Sequence, residues 1–340
     1  MTKLSPIPDS ILQKHDRAFF IPIRSALDLI IQGGWPVFPK RKNSFIAHRV
    51  SLTPKDILDL SIIRDLFVGS KLLTATAEQI RSIVTKGVPT SSTLSDHVSN
   101  LLLELFNYSE FQKGRILVVK KRQFYWETPS KTDNLWGGYE YLQYHTEALK
   151  YCPYCNADSV YAFQKGDKTK VASALDHFYP KSTYPFLALS LYNLIPVCSR
   201  CNAQMKGAAD MKDVANPFIE DIHRNVIFFP LIDKTSPSLT GQSRMAILPR
   251  KGCDPKVIEF VHRFELESLY SSAFIKDALL CMDRVRCFTP EFKMDFAHRI
   301  RQNDPRLIDA LLFGMPLDES EINKTHLGKM TLDIVEQFRA

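Results

Sequence analysis

Tyr151-Cys152-Pro153-Tyr154-Cys155, Asp176-His177-Phe178-Tyr179-Pro180-Lys181-Ser182 and Tyr192-Asn193-Leu194-Ile195-Pro196-Val197-Cys198-Ser199-Arg200-Cys201-Asn202 are three islands in one stretch, residues 151 to 207, whose reading decides the fold. Each Cys-x-x-Cys pair presents two thiolates from a tight turn, and 42 residues separate the pairs. Tetrahedral zinc takes four such ligands, so Cys152, Cys155, Cys198 and Cys201 are the candidates for one closed structural site. A site of four thiolates keeps no open position for water, so its work would be to staple two chain segments together. The competing readings are weaker. A redox dithiol needs only one pair, and unligated buried cysteines would make the double spacing a coincidence.

The segment between the knuckles carries an acid and an imidazole side by side. Val171 to Leu175 reads as a short apolar strand that runs into Asp176-His177, and Leu191 to Val197 reads as a second strand containing Asn193. Residues 198 to about 206 then turn through the second knuckle into a helix. A carboxylate is a hard oxygen ligand, and an imidazole that titrates near neutrality can take a proton from water. Taken singly, an Asp-His pair is usually part of a surface loop, and an Asn after a knuckle is usually a cap or turn residue. Their joint order around two knuckles reverses that reading.

With these motifs in this order, residues 151 to 207 resemble the HNH, or ββα-metal, endonuclease family, in the subgroup whose core is pinned by a zinc knuckle pair. The resemblance implies that His177 is the general base and that Asp176 and Asn202 hold the catalytic divalent ion. It implies too that Asn193 fixes the loop that aims His177. Asn202 stands where the family name has its last His, and an amide oxygen beside a carboxylate favours Mg²⁺ or Mn²⁺ over softer ions. The activity implied is metal-dependent hydrolysis of nucleic-acid phosphodiesters, DNA first. The alternatives are an RNase of the same fold, for example one cleaving tRNA, and a zinc-dependent module that binds nucleic acid without cutting. Lys181, Arg200 and Lys206 are expected either at phosphates or on solvated surface. The wording of the second island, the run Ala188 to Pro196 and the later Phe264-Glu265-Leu266-Glu267-Ser268-Leu269-Tyr270 look like the HNH effectors of bacterial antiphage systems, Septu and retron-associated ones among them. In those systems the nuclease works beside a separate ATPase subunit. This chain has no Gly-x-x-x-x-Gly-Lys-Ser/Thr phosphate loop of its own.

The flanks read as scaffold. At 340 residues and 45% hydrophobic content the chain can bury an ample core, and its formal charge of +7 leans toward a polyanionic partner. No apolar run reaches the length of a membrane span, since Pro22, Arg24 and Asp28 interrupt the candidate at Phe19 to Ile31. The expectation is a cytoplasmic protein without a disulfide framework, with Cys253, Cys281 and Cys287 as buried apolar side chains. Helices are expected from Thr53 with Pro54 at its first position, after Thr76, and from about Thr93 to Phe111. Arg115 to Trp126 reads as a hairpin whose basic run Lys120-Lys121-Arg122 adjoins Phe124-Tyr125-Trp126. Trp136-Gly137-Gly138 is a turn before a helix over Tyr139 to Lys150. Val226 to Leu231 is a strand, 233 to 244 a polar loop, and Pro255 to Cys287 one long amphipathic pattern. Shorter helices follow near Glu291 to Arg301, Pro305 to Phe313 and Thr331 to Phe338. The fold class is therefore α+β and predominantly helical. Residues 1–150 form a mainly helical region for partner docking or substrate recognition, 151–216 the zinc-stapled ββα core, and 217–340 a mainly helical C-terminal region.

Overall fold

Side-chain caps start several of the N-terminal helices. In the computed structural model, which describes residues 1–33, 52–120, 123–129, 136–165, 168–171, 173–233 and 243–339, helix α1 spans Asp9–Ile31 and α2 spans Pro54–Gly69. The Thr53 hydroxyl accepts from Asp56 N while the Asp56 carboxylate accepts from Thr53 N, a reciprocal cap that stabilises the helix start by about 1 kcal/mol. Thr76 and Gln79 repeat the device at α3, Ala77–Thr85. The helix expected over residues 93 to 111 is two helices, α4 (Asp96–Leu105) and α5 (Tyr108–Gln112). The chain leaves helical geometry at Phe106, and the Asn107 side chain restarts it by accepting from Glu110 N. Asn is a poor residue for a helix interior and a strong one for a cap, which is why the break falls there.

Strands β1 (Ile116–Lys120) and β2 (Gln123–Glu127) pair antiparallel as the expected hairpin; Lys121 and Arg122 lie outside the described residues. Helix α6, Gly138–Ala148, follows. A Cβ on Gly137, just before it, would lie 2.5 Å from Phe111 O and 2.6 Å from Gly114 Cα, so only glycine lets α6 start this close to the end of α5. Next come β3 (Ala162–Lys165) with β4 (Lys168–Val171), and β5 (Ala174–His177) with β6 (Leu194–Val197). A π-helical segment, Arg200–Lys206, and α7, Ile222–Asn225, precede the antiparallel pair β7 (Val226–Leu231) and β8 (Arg244–Pro249). Most of the expected polar loop, 234–242, lies outside the described residues.

The C-terminal region is helical, but its long amphipathic run is three helices: α8 (Pro255–Arg263), α9 (Leu266–Ala273) and α10 (Ile275–Cys287). Glu265 turns the chain with a left-handed φ of 44°. That turn lets fully buried Phe264 lie against Tyr154 of the first knuckle, ring centroids 4.3 Å apart, so tertiary packing overrides helical propensity. Helices α11 (Pro290–Arg299), α12 (Pro305–Phe313) and α13 (Gly328–Phe338) complete the chain. Cys281 is buried and Cys253 half-buried, whereas Cys287, on the solvent side of the last turn of α10, is exposed and corrects the expectation of a buried thiol. No helix among the described residues is long and apolar enough to cross a membrane.

Both flanks hold residues 151 to 207 from behind. One buried apolar cluster includes Phe19 and Phe111 from the N-terminal helices, Phe186 and Leu194 from the central stretch, and Phe260, Tyr270 and Ile334 from the C-terminal helices. Hydrogen bonds cross the same boundaries: Leu191 N donates to Leu73 O at 3.0 Å, Ser91 N to Thr183 O at 3.0 Å, and the Tyr270 hydroxyl to Cys155 O at 2.7 Å.

His15 of α1 is part of this seam. Its Nδ1 accepts from Trp136 Nε1 at 3.0 Å and its Nε2 donates to Leu189 O at 2.8 Å, an arrangement that only the neutral imidazole satisfies. Burial pushes its pKa down to about 4, below the ordinary value of 6.5. A folded pKa below the unfolded one means that the stabilisation is complete above pH 6.5 and is lost as pH falls toward 4. The stability gap between the wild type and His15→Leu, measured by urea unfolding, is expected to be constant above pH 7. Between pH 6.5 and 5 it should narrow by up to about 1.4 kcal/mol per pH unit. A gap that stays flat down to pH 5 would contradict the buried neutral imidazole.

Candidate metal and active site

The two knuckles meet. Cys152, Cys155, Cys198 and Cys201 are all buried, and their sulfurs lie within 4.8 Å of one another. Cys155 Sγ and Cys198 Sγ are 3.9 Å apart, close to the edge of a tetrahedron with metal–sulfur bonds of about 2.3 Å. The Cys201 amide points at Cys198 Sγ from 3.4 Å, the bond a knuckle turn offers a thiolate. Arg200 lies alongside, Nη2 3.9 Å from Cys155 Sγ and 3.1 Å from Asp158 Oδ2, and offsets the negative charge that four thiolates accumulate. Four buried sulfurs at this spacing, with an amide donor and a guanidinium around them, suit a zinc ion. Arg200 therefore has two partners inside the protein.

Strand β5 carries the acid and the imidazole within its ladder, not in the loop beyond it. The expected strand from Val171 to Leu175 is shifted: β5 begins at Ala174, and Asp176 and His177 pair with Ile195 and Leu194 of β6. Asn193 lies outside β6, in a 3₁₀ turn over Leu191–Asn193. Its amide is spent on the loop after His177, with Oδ1 accepting from Tyr179 N at 2.8 Å and Nδ2 donating to Tyr179 O and Leu187 O. Those bonds hold the turn out of the ladder and fix the loop's path.

Successive side chains of a strand point to opposite faces, so Asp176 and His177 enter different surroundings. Asp176, 2% exposed, accepts from the Tyr154 hydroxyl at 2.7 Å through Oδ2 and from Lys206 Nζ at 2.9 Å through Oδ1. Burial raises its pKa above the usual carboxylate value, against the opposing pull of Lys206 and Tyr154. Lys206 also donates to His177 O at 2.7 Å and is 4% exposed, so it is neither a solvated surface lysine nor free for a phosphate. It ties the end of the π-helical segment to β5.

His177, 8% exposed, brings Nε2 to 3.1 Å from Ala188 O. A carbonyl can only accept, so Nε2 carries the hydrogen and the lone pair stands on Nδ1. Burial first, then Lys181, pushes the imidazole's pKa down to about 3, which leaves it neutral through the physiological range and a weaker base than an ordinary imidazole. Tyr108 of α5 stands edge-on to the ring, centroids 4.4 Å apart, and Lys181 Nζ lies 5.0 Å over the Tyr108 ring. Asn202 lies half-buried on the π-helical segment.

Sequence reading missed two members of this constellation and misplaced a third. Tyr154 sits inside the first knuckle, where a Tyr between two cysteines was a signal in plain view. Lys206 was noticed but given the wrong surroundings. Tyr108 had no signal, because it lies 69 positions before His177 and outside every motif.

No family model matches the chain, and no solved structure matches it. The chain is similar to the Septu protein PtuB of Bacillus thuringiensis, 30% identical over 120 residues, which cover 32% of this chain and 46% of that protein. It spans about half the length of the curated relative it matches.

Proposed function

We propose that the chain is a metal-dependent endonuclease of the ββα-metal kind, hydrolysing nucleic-acid phosphodiesters with DNA as the favoured substrate, and that it is the effector of a bacterial antiphage system. The observation that carries the reading is the order β5, β6, π-helical segment, pinned by the cysteine cluster, with Asp176 and His177 in the paired strand and Asn193 bonded to the loop that follows. The similarity to a Septu protein supports the defence role; a separate ATPase subunit as partner is proposed from the resemblance of the motifs.

In this reading His177 takes the proton of the attacking water at Nδ1, since Nε2 is committed to Ala188 O. Asp176 and Asn202 would hold Mg²⁺ or Mn²⁺, whose charge would offset that on the phosphate and the leaving oxygen. Carboxylate and amide oxygens are the donor chemistry such an ion prefers. A carboxylate offers about four acceptor sites, of which Tyr154 and Lys206 use two, and with an amide oxygen the set is all oxygen. The Lys206 ammonium beside Asp176 opposes a second cation, so ion binding trades against that pair. The zinc of the knuckles, closed by four sulfurs, takes no part in the chemistry.

Burial of both Asp176 and His177 favours an enzyme that is silent until its partner engages over one active alone. Residues 1–150 are the proposed docking surface. Because they share the buried cluster with the central stretch, surface substitutions test this role better than deletion. The assay is cleavage of plasmid, single-stranded DNA and total tRNA with Mg²⁺ or Mn²⁺, with and without the proposed ATPase partner. Cutting that requires the metal and rises with the partner is the expected result, and the substrate cut decides DNA against RNA. Salt-sensitive binding without cutting in every condition would replace the enzyme by a binding module.

A further inference from the structure

We propose that Tyr108, supplied by α5 from outside the central stretch, is a positioning residue that fixes the orientation and tautomer of His177. The inference rests on the reading of His177 as the proton acceptor. The torsion that turns an imidazole about its Cβ–Cγ bond is broad and roughly two-fold, so a single hydrogen bond leaves the ring free to tilt or flip. Here Nε2 is held by Ala188 O, and the Tyr108 ring closes against the imidazole edge-on, at 74° between planes.

Tyr108 is itself fixed at several points. Its hydroxyl donates to Leu175 O at 3.1 Å, two residues before His177 on the same strand, and accepts from Gln112 Nε2 at 2.8 Å, one turn further along α5. It packs on Phe111, centroids 6.4 Å apart, beneath the Lys181 ammonium, and is 8% exposed. The hydroxyl thus grips the backbone of β5 while the ring walls the imidazole, and both limit how the ring that carries the Nδ1 lone pair can turn.

The test compares wild type, Tyr108→Phe and Tyr108→Ala by two readouts. Steady-state cleavage, in the condition where wild type cuts, should show kcat reduced about 10²-fold in Tyr108→Ala with KM within about two-fold, because misplacing a catalytic group by an ångström costs on that order. Tyr108→Phe keeps the wall and should recover most of kcat. Nitrogen-15 spectra of histidine-labelled protein, with the His177 signals assigned by their loss in His177→Ala, should show a single Nε2–H tautomer in wild type and Tyr108→Phe, and averaging in Tyr108→Ala. Unchanged or raised kcat in Tyr108→Ala, a change confined to KM, or an unaltered tautomer would each overturn the positioning role. If wild type cuts nothing under any condition, the nuclease reading fails, and the tautomer readout alone still decides what Tyr108 does to His177.

Discussion

His177→Ala is expected to lower metal-dependent cleavage by about 10² to 10⁴-fold, the usual contribution of a general base, while affinity for nucleic acid stays within a few-fold. The imidazole is neutral at working pH, its Nε2 hydrogen is spoken for by Ala188 O, and Nδ1 holds the free lone pair. Alanine removes that acceptor and touches neither Asp176 nor the cysteine cluster, which lie on other contacts. Some stability is lost as well. The Ala188 carbonyl is left without its donor, a cost of about 1–3 kcal/mol for a buried group, and the Tyr108 ring loses its neighbour. Single-turnover cleavage with saturating enzyme, alongside fluorescence anisotropy on the same oligonucleotide, separates the two effects. A variant that cuts as fast as wild type would remove His177 from the mechanism. One that neither cuts nor binds would make it a structural residue.

Loss of the knuckle metal is expected to be the more damaging perturbation. Cys201→Ser and Cys152→Ser should each yield protein with little zinc by elemental analysis, where wild type carries about one ion per chain. Cys253→Ser, Cys281→Ser and Cys287→Ser should retain it. Bringing the ends of the 42-residue segment together without a link costs about 4 kcal/mol on a chain-entropy estimate. Structural zinc sites in small domains supply about 10–16 kcal/mol. Chelation should therefore lower the urea midpoint steeply and abolish cleavage with it, because Asp176, His177 and Asn193 all lie on the linked segment. Wild type free of zinc after growth in zinc-supplemented medium, with a midpoint unmoved by chelator, would show that the cluster holds no metal.

Much of this was legible in the chain. The two knuckles announced themselves by spacing, and four sulfurs within 4.8 Å is the outcome that arithmetic required. Thr53, with Pro54 after it, and Thr76 marked helix starts, because the cap each forms is a bond between residues three apart. Val226–Leu231 was readable as a strand from its apolar composition. Signals of this kind are local: they depend on neighbours within a turn or a strand length, and the sequence states those neighbours outright.

Apart from the meeting of the two knuckles, what lay beyond reach were the arrangements made across distance. The helix expected over 93 to 111 broke at Asn107, and the long C-terminal run broke at Glu265, where the chain bends so that Phe264 can pack on Tyr154. Lys206 reads on paper as a surface cation, yet it folds into the protein to pair with Asp176 thirty positions away. Tyr108 meets His177 only because α5 is pressed against β5 by a core to which both flanks contribute. The sequence by itself determined the chemistry available: four thiols, an acid, an imidazole and two amides in a set order. Tertiary structure alone decided which lone pair of His177 is free, which cation sits on Asp176 and which residue walls the site. Those depend on side-chain contacts between segments whose separation carries no periodicity and no cap, only the packing of the finished core.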